Sequence, residues 1–563
     1  MRSSSLLLAL SLFPLSLPAQ GASPYVPLQH WAMPYVEHLI AAGKLVDPTP
    51  LTRPLRRGDV VRGLEAMDTL RLSGGERRVV RALLADFRRR GASPPGPLSV
   101  PARGNETHPS SPSPEGRGDP KGLPNGRRGE VPNGRRGVAQ TPKGSGGSGE
   151  AWARLDADLG VTGATHALRD PLEIDRGLPP RSGATSRGFV NGGLSLQLGF
   201  GPLVAVTHPY FDTQLKFDPD WYGKKDRTIA GRTAESYISA QWRWAELFYG
   251  RLDRNWGPSG VPGVLLSDDP YGLDHFGLTL GTSGVQLQAL VTQLDTRPDT
   301  AGVAIRRYMV LHRLWLRPRG RWTVTLWEGA VLSGADRTIE PWYLNILNLA
   351  VLEQVNSGTN VNSFLGVDFE RRGGVTLFGQ LMLDDIQVDR RTLTDQKPVS
   401  YAATLGAKGR FPFPGAWTLW YTQVANLTYR NEDDLQVPLY HGLGTGRNFS
   451  DYDQATARIS LIAPGGVLLE PEVTLVRQGE GDPRLPHPLP AAYPATATLF
   501  EGVVQRTLRL ALGAQWSAGP LHWSANGGVH ATTNDGHVQG QSRTRFVGSM
   551  SVSWRFRGEG ALP

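Results

Sequence analysis

The C-terminal stretch RFVGSMSVSWRF alternates: Phe546, Met550, Val552, Trp554 and Phe556 fall on one face, and Arg545, Ser549, Ser551, Ser553 and Arg555 on the other. A strand carrying aromatics on one side and arginines on the other suits lipid outside and a polar lumen inside. The same period of two recurs in TLRLALGAQW, where Leu508, Leu510 and Leu512 alternate with Thr507, Arg509 and Ala511. In LHWSANGGVHAT, Leu521, Trp523, Ala525 and Val529 oppose His522, Ser524, Asn526 and His530. Soluble sandwiches alternate as well, so the connections must discriminate.

Those connections are of two kinds. Tight turns fall at Phe200, near Trp244, and at Gly281, Arg317, Arg371, Pro412, Ala463 and Ser517. Between the resulting hairpins lie long polar segments, among them 166–188, 213–234, 255–273, 334–360, 428–451 and 477–501. Short turns at one end and long loops at the other define an all-β transmembrane outer-membrane β-barrel of about 18 antiparallel strands. We place it at residues 151–556, both barrel ends in the periplasm, with a short C-terminal tail at 557–563. Trp242, Trp244, Trp315, Trp322, Trp417, Trp516 and Trp554 lie near the expected strand ends, where an interfacial aromatic girdle belongs.

Residues 1–22 have a basic start, an apolar run too short to span a bilayer and small residues at the end, the pattern of a cleaved signal peptide. At 23–90, apolar residues at helical spacing (Val36, Leu39, Ile40; Val60, Val61, Leu64; Val79, Val80, Leu83) predict a small α-helical periplasmic bundle. Residues 91–150 are rich in Pro, Gly, Ser and Arg and repeat NGRRG, the composition of a disordered basic linker. The formal charge of +9 arises almost wholly between Leu51 and Lys143, so nucleic acid is not an expected partner despite the high pI. The absence of cysteine excludes disulfides, thiolate catalysis and Cys-based metal sites.

The stretch GRLDRNWGPSGVPGVLLSDDPYG lies by this counting on the long-loop side, facing outward. It lacks the glycine spacing of a phosphate-binding loop. It resembles the most distinctive motif of the Wzi family of outer-membrane capsule-assembly proteins, through Gly250, Arg251, Trp256, Gly257, Pro258, Gly260, Leu265, Leu266, Ser267, Asp268 and Pro270. Asn255 stands where the family has a second tryptophan, and Ser259 separates Pro258 from Gly260. A second block, LWEGAVLSGADRTIEPWYLNILNLAVLEQVNSGTNVNSFLGVDF, is similar to the family's with Glu328, Tyr343, Glu353, Asn360 and Asn362 at its polar positions.

The resemblance implies a lectin-like outer-membrane protein, not an enzyme, that associates capsular or other exported polysaccharide with the cell surface. Sugars are recognised by aromatic faces and by carboxylates or amides that pair with hydroxyls. The candidates are Trp256, Asp268, Asp269, Tyr271 and Asp274 in one outer loop, and Trp342, Tyr343, Asn345 and Asn348 in another. No cofactor or metal is expected, since acid pairs such as Asp384 and Asp385 or Asp433 and Asp434 read as solvated loop acids. The expected partners are polysaccharide and outer-membrane lipid, with cell wall or export machinery reached through the bundle, for a monomer. The competing readings are a porin or solute channel, since lumen-facing Arg509, Arg545 and Arg555 suit any such barrel, and a lipid hydrolase built around a wall histidine such as His312.

Overall fold

The computed structural model describes residues 22–88, 151–177, 187–318, 320–352, 361–385 and 391–562. The expected signal peptide and basic linker lie outside these residues, apart from Ala22 at the edge of the former. No helix among them is long and apolar enough to cross a membrane.

The chain crosses with strands. β1 (Trp152–Ala164) pairs antiparallel with β2 (Arg187–Phe200) on one side and with the last strand, β21 (Ser542–Ala561), on the other, which closes the sheet. Between them run β3 (Leu203–Asp212), β4 (Ala230–Gln241), β5 (Ala245–Arg251), β6 (Asp274–Gly281) and β7 (Val285–Gln293). A two-residue strand, β8 (Arg297–Pro298), precedes β9 (Ala304–Leu316), β10 (Trp322–Gly334), β11 (Val361–Arg371), β12 (Val375–Asp385), β13 (Ser400–Arg410) and β14 (Gly415–Val424). A small loop hairpin, β15 (Leu439–Tyr440) and β16 (Leu443–Gly444), separates these from β17 (Tyr452–Ile462), β18 (Leu468–Gln478), β19 (Gln505–Ala518) and β20 (Leu521–Thr533). The main sheet has 19 strands, and without the loop strand β8 the barrel is an 18-strand antiparallel ring. The expected tight turns at Phe200, near Trp244, and at Gly281, Arg371, Pro412, Ala463 and Ser517 are present at one end of it, and the one at Arg317 includes a residue outside the described ones.

The period-two pattern sorts the wall. Leu510, Leu512, Phe546 and Trp554 are exposed on the outside, whereas Arg509 is buried inside, where its guanidinium reaches His530 Nε2 and Asn526 Oδ1, each at 2.6 Å. Trp244 and Trp322 are exposed, as a girdle requires. Trp315 departs from that expectation: it turns inward and donates Nε1–H to the Pro50 carbonyl at 3.1 Å.

Three helices precede the barrel: α1 (Met33–Ala41), α2 (Arg57–Glu65) and α3 (Gly74–Phe87). α3 opens with a capping box, in which the Ser73 hydroxyl accepts from the Glu76 N–H at 3.2 Å and the Glu76 carboxylate from the Ser73 N–H at 2.8 Å. Gly43, after α1, adopts φ +66°, the left-handed helix stop that a glycine meets without a Cβ penalty. Val36, Leu39, Val60, Leu64, Val79 and Leu83 pack into one core that includes Ile462 and Leu468 of the β17–β18 hairpin. The helices therefore cap the short-turn end of the barrel.

The expected tail at 557–563 is corrected by the same docking. β21 runs on to Ala561, in register with Trp152 of β1, because Arg557 donates Nε–H to Asp156 at 2.8 Å and also binds Asp86 near the end of α3.

Candidate ligand-binding site

The stretch that follows β5 does not face outward as its position among the loops suggests. It dives into the lumen, and the backbones of Asn255 and Arg53 form a bridge, Arg53 N–H to Asn255 O at 2.8 Å and Asn255 N–H to Arg53 O at 3.1 Å. Asn255 also staples the loop internally, donating to the Val261 carbonyl at 3.0 Å and accepting from the Gly263 N–H at 2.7 Å. Ser259, the residue inserted into the motif, donates its hydroxyl to Glu37 of α1. Val264, Leu265 and Leu266 enter a lumenal core with Leu290, Leu311, Trp327 and Phe364, so this apolar run fills the barrel interior. The loop between β14 and β17 clamps it from above, through Ser267 N–H to Thr445 O at 2.7 Å and Thr445 Oγ1–H to Leu265 O at 3.1 Å.

Beside the filled part remains a cavity of about 500 Å³, within the size range of ligand sites. Arg169, Asp218, Arg232, Asp253 and Tyr271 line its upper part, and His522 and Trp31 its floor. Tyr271 is the centre of the upper group: its hydroxyl donates to Asp218 Oδ2 at 2.5 Å, while the guanidinium carbons of Arg169 and Arg232 lie 4.4 Å and 5.4 Å from its ring centroid. Asp253 Oδ1 is buried without a hydrogen-bond partner among the described residues. Enclosure lifts the Asp253 carboxyl to about 6 against the opposing pull of Arg232, with Asp268 raising it further. Burial, with the Asp268 charge beside it, pushes Asp269 up to about 7. Aromatic faces, guanidinium donors and carboxylates that can accept from hydroxyls converge there without any group of three or more His, Cys, Asp or Glu able to hold a metal among the described residues.

The sequence-predicted residues separate into three places. Tyr271 lines the cavity, and Asp268 and Asp269 stand at its margin, where Arg169 binds the carbonyls of Asp268 (3.4 Å), Asp269 and Pro270 (3.3 Å), and Gln29 donates to Asp268 Oδ2 at 3.4 Å. Trp256 is half-buried in the lumen, its ring 4.9 Å from the Arg313 guanidinium and its carbonyl accepting from Gln380 at 2.9 Å. Asp274 begins β6 and pairs with Arg251. Trp342, Tyr343, Asn345 and Asn348 lie far from this group, on a segment after β10; Tyr343 is buried and Trp342 exposed. Glu353 and Asn360 fall outside the described residues. Asp384 accepts from the Tyr429 N–H at 2.7 Å and Asp433 caps the turn at Leu435 at 3.0 Å, so neither is a freely solvated acid.

Sequence reasoning missed Arg169, Asp218, Arg232 and Asp253. Asp253 stands inside the recognised motif stretch and was within reach. The other three lie in or beside different loops and join Tyr271 only when the ring closes.

The sequence matches no protein-family model and no curated protein. Solved structures do match: Wzi of Escherichia coli, described as an outer-membrane protein involved in group 1 capsule assembly and a carbohydrate-binding β-barrel, aligns over 96% of this chain and 100% of that one, with a TM-score of 0.56 and 11% identity. The chain resembles Wzi in fold. The outer-membrane protein opdK from Pseudomonas aeruginosa covers 73% of this chain and 99% of its own, with a TM-score of 0.42 and 12% identity. The Wzi alignment takes in the N-terminal helices as well as the barrel, since it spans nearly the whole sequence.

Proposed function

We propose that this protein resides in the outer membrane and holds exported, capsule-type polysaccharide at the cell surface, binding it as a lectin does and performing no reaction on it. The observation that carries this reading is a lumen occupied from both ends, with the motif loop meeting the N-terminal segment at Asn255 and Arg53. Such a filling favours binding over conduction, because a water channel needs the space that Val264, Leu265 and Leu266 occupy. The cavity around Tyr271 supplies the aromatic and charged groups that a glycan requires, and the carbohydrate binding described for Wzi, on the same fold, lends weight to it.

The test compares cell-bound with released polysaccharide in cells carrying the intact gene and a deletion. Polymer moving into the medium on deletion supports retention. An unchanged partition rejects it, and steady open steps from the purified protein in planar bilayers would then establish the channel reading.

A further inference from the structure

The segment after β10 folds back over the outside of the barrel. In β9 and β10 the inward series contains Arg313 and Trp327, which meet the lumenal Asp368. Their neighbours His312 and Glu328 are cross-strand partners in register and so point outward, in line with Leu326, which is exposed to the surroundings of the barrel. Both are nevertheless buried, because Tyr343 and Ala350 cover them. Glu328 accepts from His312 Nδ1 at 2.9 Å and from the Ala350 N–H at 2.8 and 3.0 Å, and His312 Nε2 lies 3.1 Å from the Tyr343 carbonyl. Tyr343 and Ala350 also pack on Val291, Val310, Ala330 and Leu332 of the same wall.

What this segment turns away from the wall is largely apolar, with Asn345 the polar residue exposed among its leucines. Trp342, Leu344, Leu347, Leu349 and Leu352 are exposed, Leu347 by 74%. PWYLNILNLAVL, residues 341–352, contains no charged side chain. Its amides are turned to the backbone, Asn345 Oδ1 accepting from the Leu347 N–H at 3.2 Å and Asn348 Nδ2 donating to the Trp342 carbonyl at 3.4 Å. The N–H groups of Tyr343, Asn345, Asn348 and Leu352 also find carbonyls within the segment or at Glu340. Glu328 stands six positions along β10 from Trp322, roughly 20 Å of strand at about 3.3 Å per residue, and a tilted strand keeps that height within an apolar band about 25 Å tall.

We propose that residues 341–352 form a membrane-embedded flap, anchored by the His312–Glu328 pair, whose Trp342, Leu344, Leu347, Leu349 and Leu352 contact the acyl chains of the surrounding lipid. A carboxylate on the lipid-facing wall is costly when bare, and the flap is what shields it. The flap is independent of what the lumen binds.

The chain has no cysteine, which permits single labels. The variants Leu347→Cys and Leu352→Cys, carrying an environment-sensitive fluorophore, would be reconstituted in phosphatidylcholine vesicles and quenched by chain-located doxyl lipid or by aqueous iodide. Leu326→Cys on the bare wall and Leu489→Cys in an exposed loop provide the two references, and heat-dependent gel mobility verifies folding of each. The flap predicts severalfold stronger doxyl quenching than at Leu489→Cys and protection from iodide equal to that of Leu326→Cys. Iodide quenching at the level of Leu489→Cys would overturn the proposal by placing the segment in water, and protection from both quenchers would overturn it by placing protein over the leucines.

Discussion

The backbones of Arg53 and Asn255 exchange two hydrogen bonds, 2.8 Å and 3.1 Å long, and in doing so connect the N-terminal segment to the loop that enters from the far side of the barrel. The Arg53 side chain completes the junction, donating to Glu37 at 2.6 Å and to Asp47 at 2.8 Å. Arg53→Ala leaves Asp47 buried without its cation, a loss of about 3–5 kcal/mol for a buried pair. The expected result is a lower urea midpoint for the conversion of folded to unfolded gel mobility, with Arg53→Lys intermediate because an ammonium lacks the fork that reaches both acids. An unchanged midpoint would mean that the junction adds nothing to stability.

The carboxyls of Asp253 and Asp269 give the protein a signed pH dependence. Their folded values, about 6 and about 7, lie above the ordinary 3.8, so between these limits the folded chain binds more protons than the unfolded one. Stability contributed by these groups is therefore fully present near pH 4 and declines as pH rises toward 7. Asp269→Asn cannot titrate at this position and loses that dependence, so its urea midpoint should rise relative to the parent's between pH 6 and pH 8. A variant as steep as the parent would remove Asp269 as a cause.

Two glycines of the motif loop should respond differently to alanine. A Cβ on Gly263 would stand 2.3 Å from the Leu266 carbonyl oxygen and 2.6 Å from that of Trp256, so backbone must move, at a cost of about 3 kcal/mol. Gly260 has open space around it and only its φ of +74° to satisfy, at about 1 kcal/mol. Equal losses of thermal stability in the two variants would contradict a packing origin for the first.

On the retention reading, Tyr271 matters more than Trp342. Tyr271→Ala removes the ring between Arg169 and Arg232 and should release polysaccharide into the medium, whereas Tyr271→Phe keeps the ring and gives up one hydrogen bond to Asp218, about 1 kcal/mol. Trp342→Ala should leave the partition unchanged. Release by Trp342→Ala with normal insertion would move the site to the outer wall.

The barrel was legible because its signal is local. The alternation of Leu508, Leu510 and Leu512 with Arg509 is the imprint of two environments on successive residues, and turns such as the one after Phe200 carry their own chemistry. The helices were legible for the same reason, since Val36 and Leu39 recur at a helix's spacing. The candidate site was partly legible: Tyr271 and Asp253 lie in one recognisable stretch, but Arg169 and Asp218 are brought to them only by ring closure.

Sequence alone determined a barrel of about 18 strands, the division of its connections into tight turns and long loops, and the alternation of faces along strands such as β19, all of which depend on neighbours a few positions away. Tertiary structure decided the direction in which each loop folds. Nothing near Trp256 distinguishes a loop that descends to meet Arg53 from one that reaches into water, and nothing near Tyr343 announces that it will cover Glu328 on the outer wall. Those outcomes are set by whether an apolar run such as Val264 to Leu266 finds lumen or lipid to exclude water from it, and that depends on where the closed ring has placed residues hundreds of positions apart.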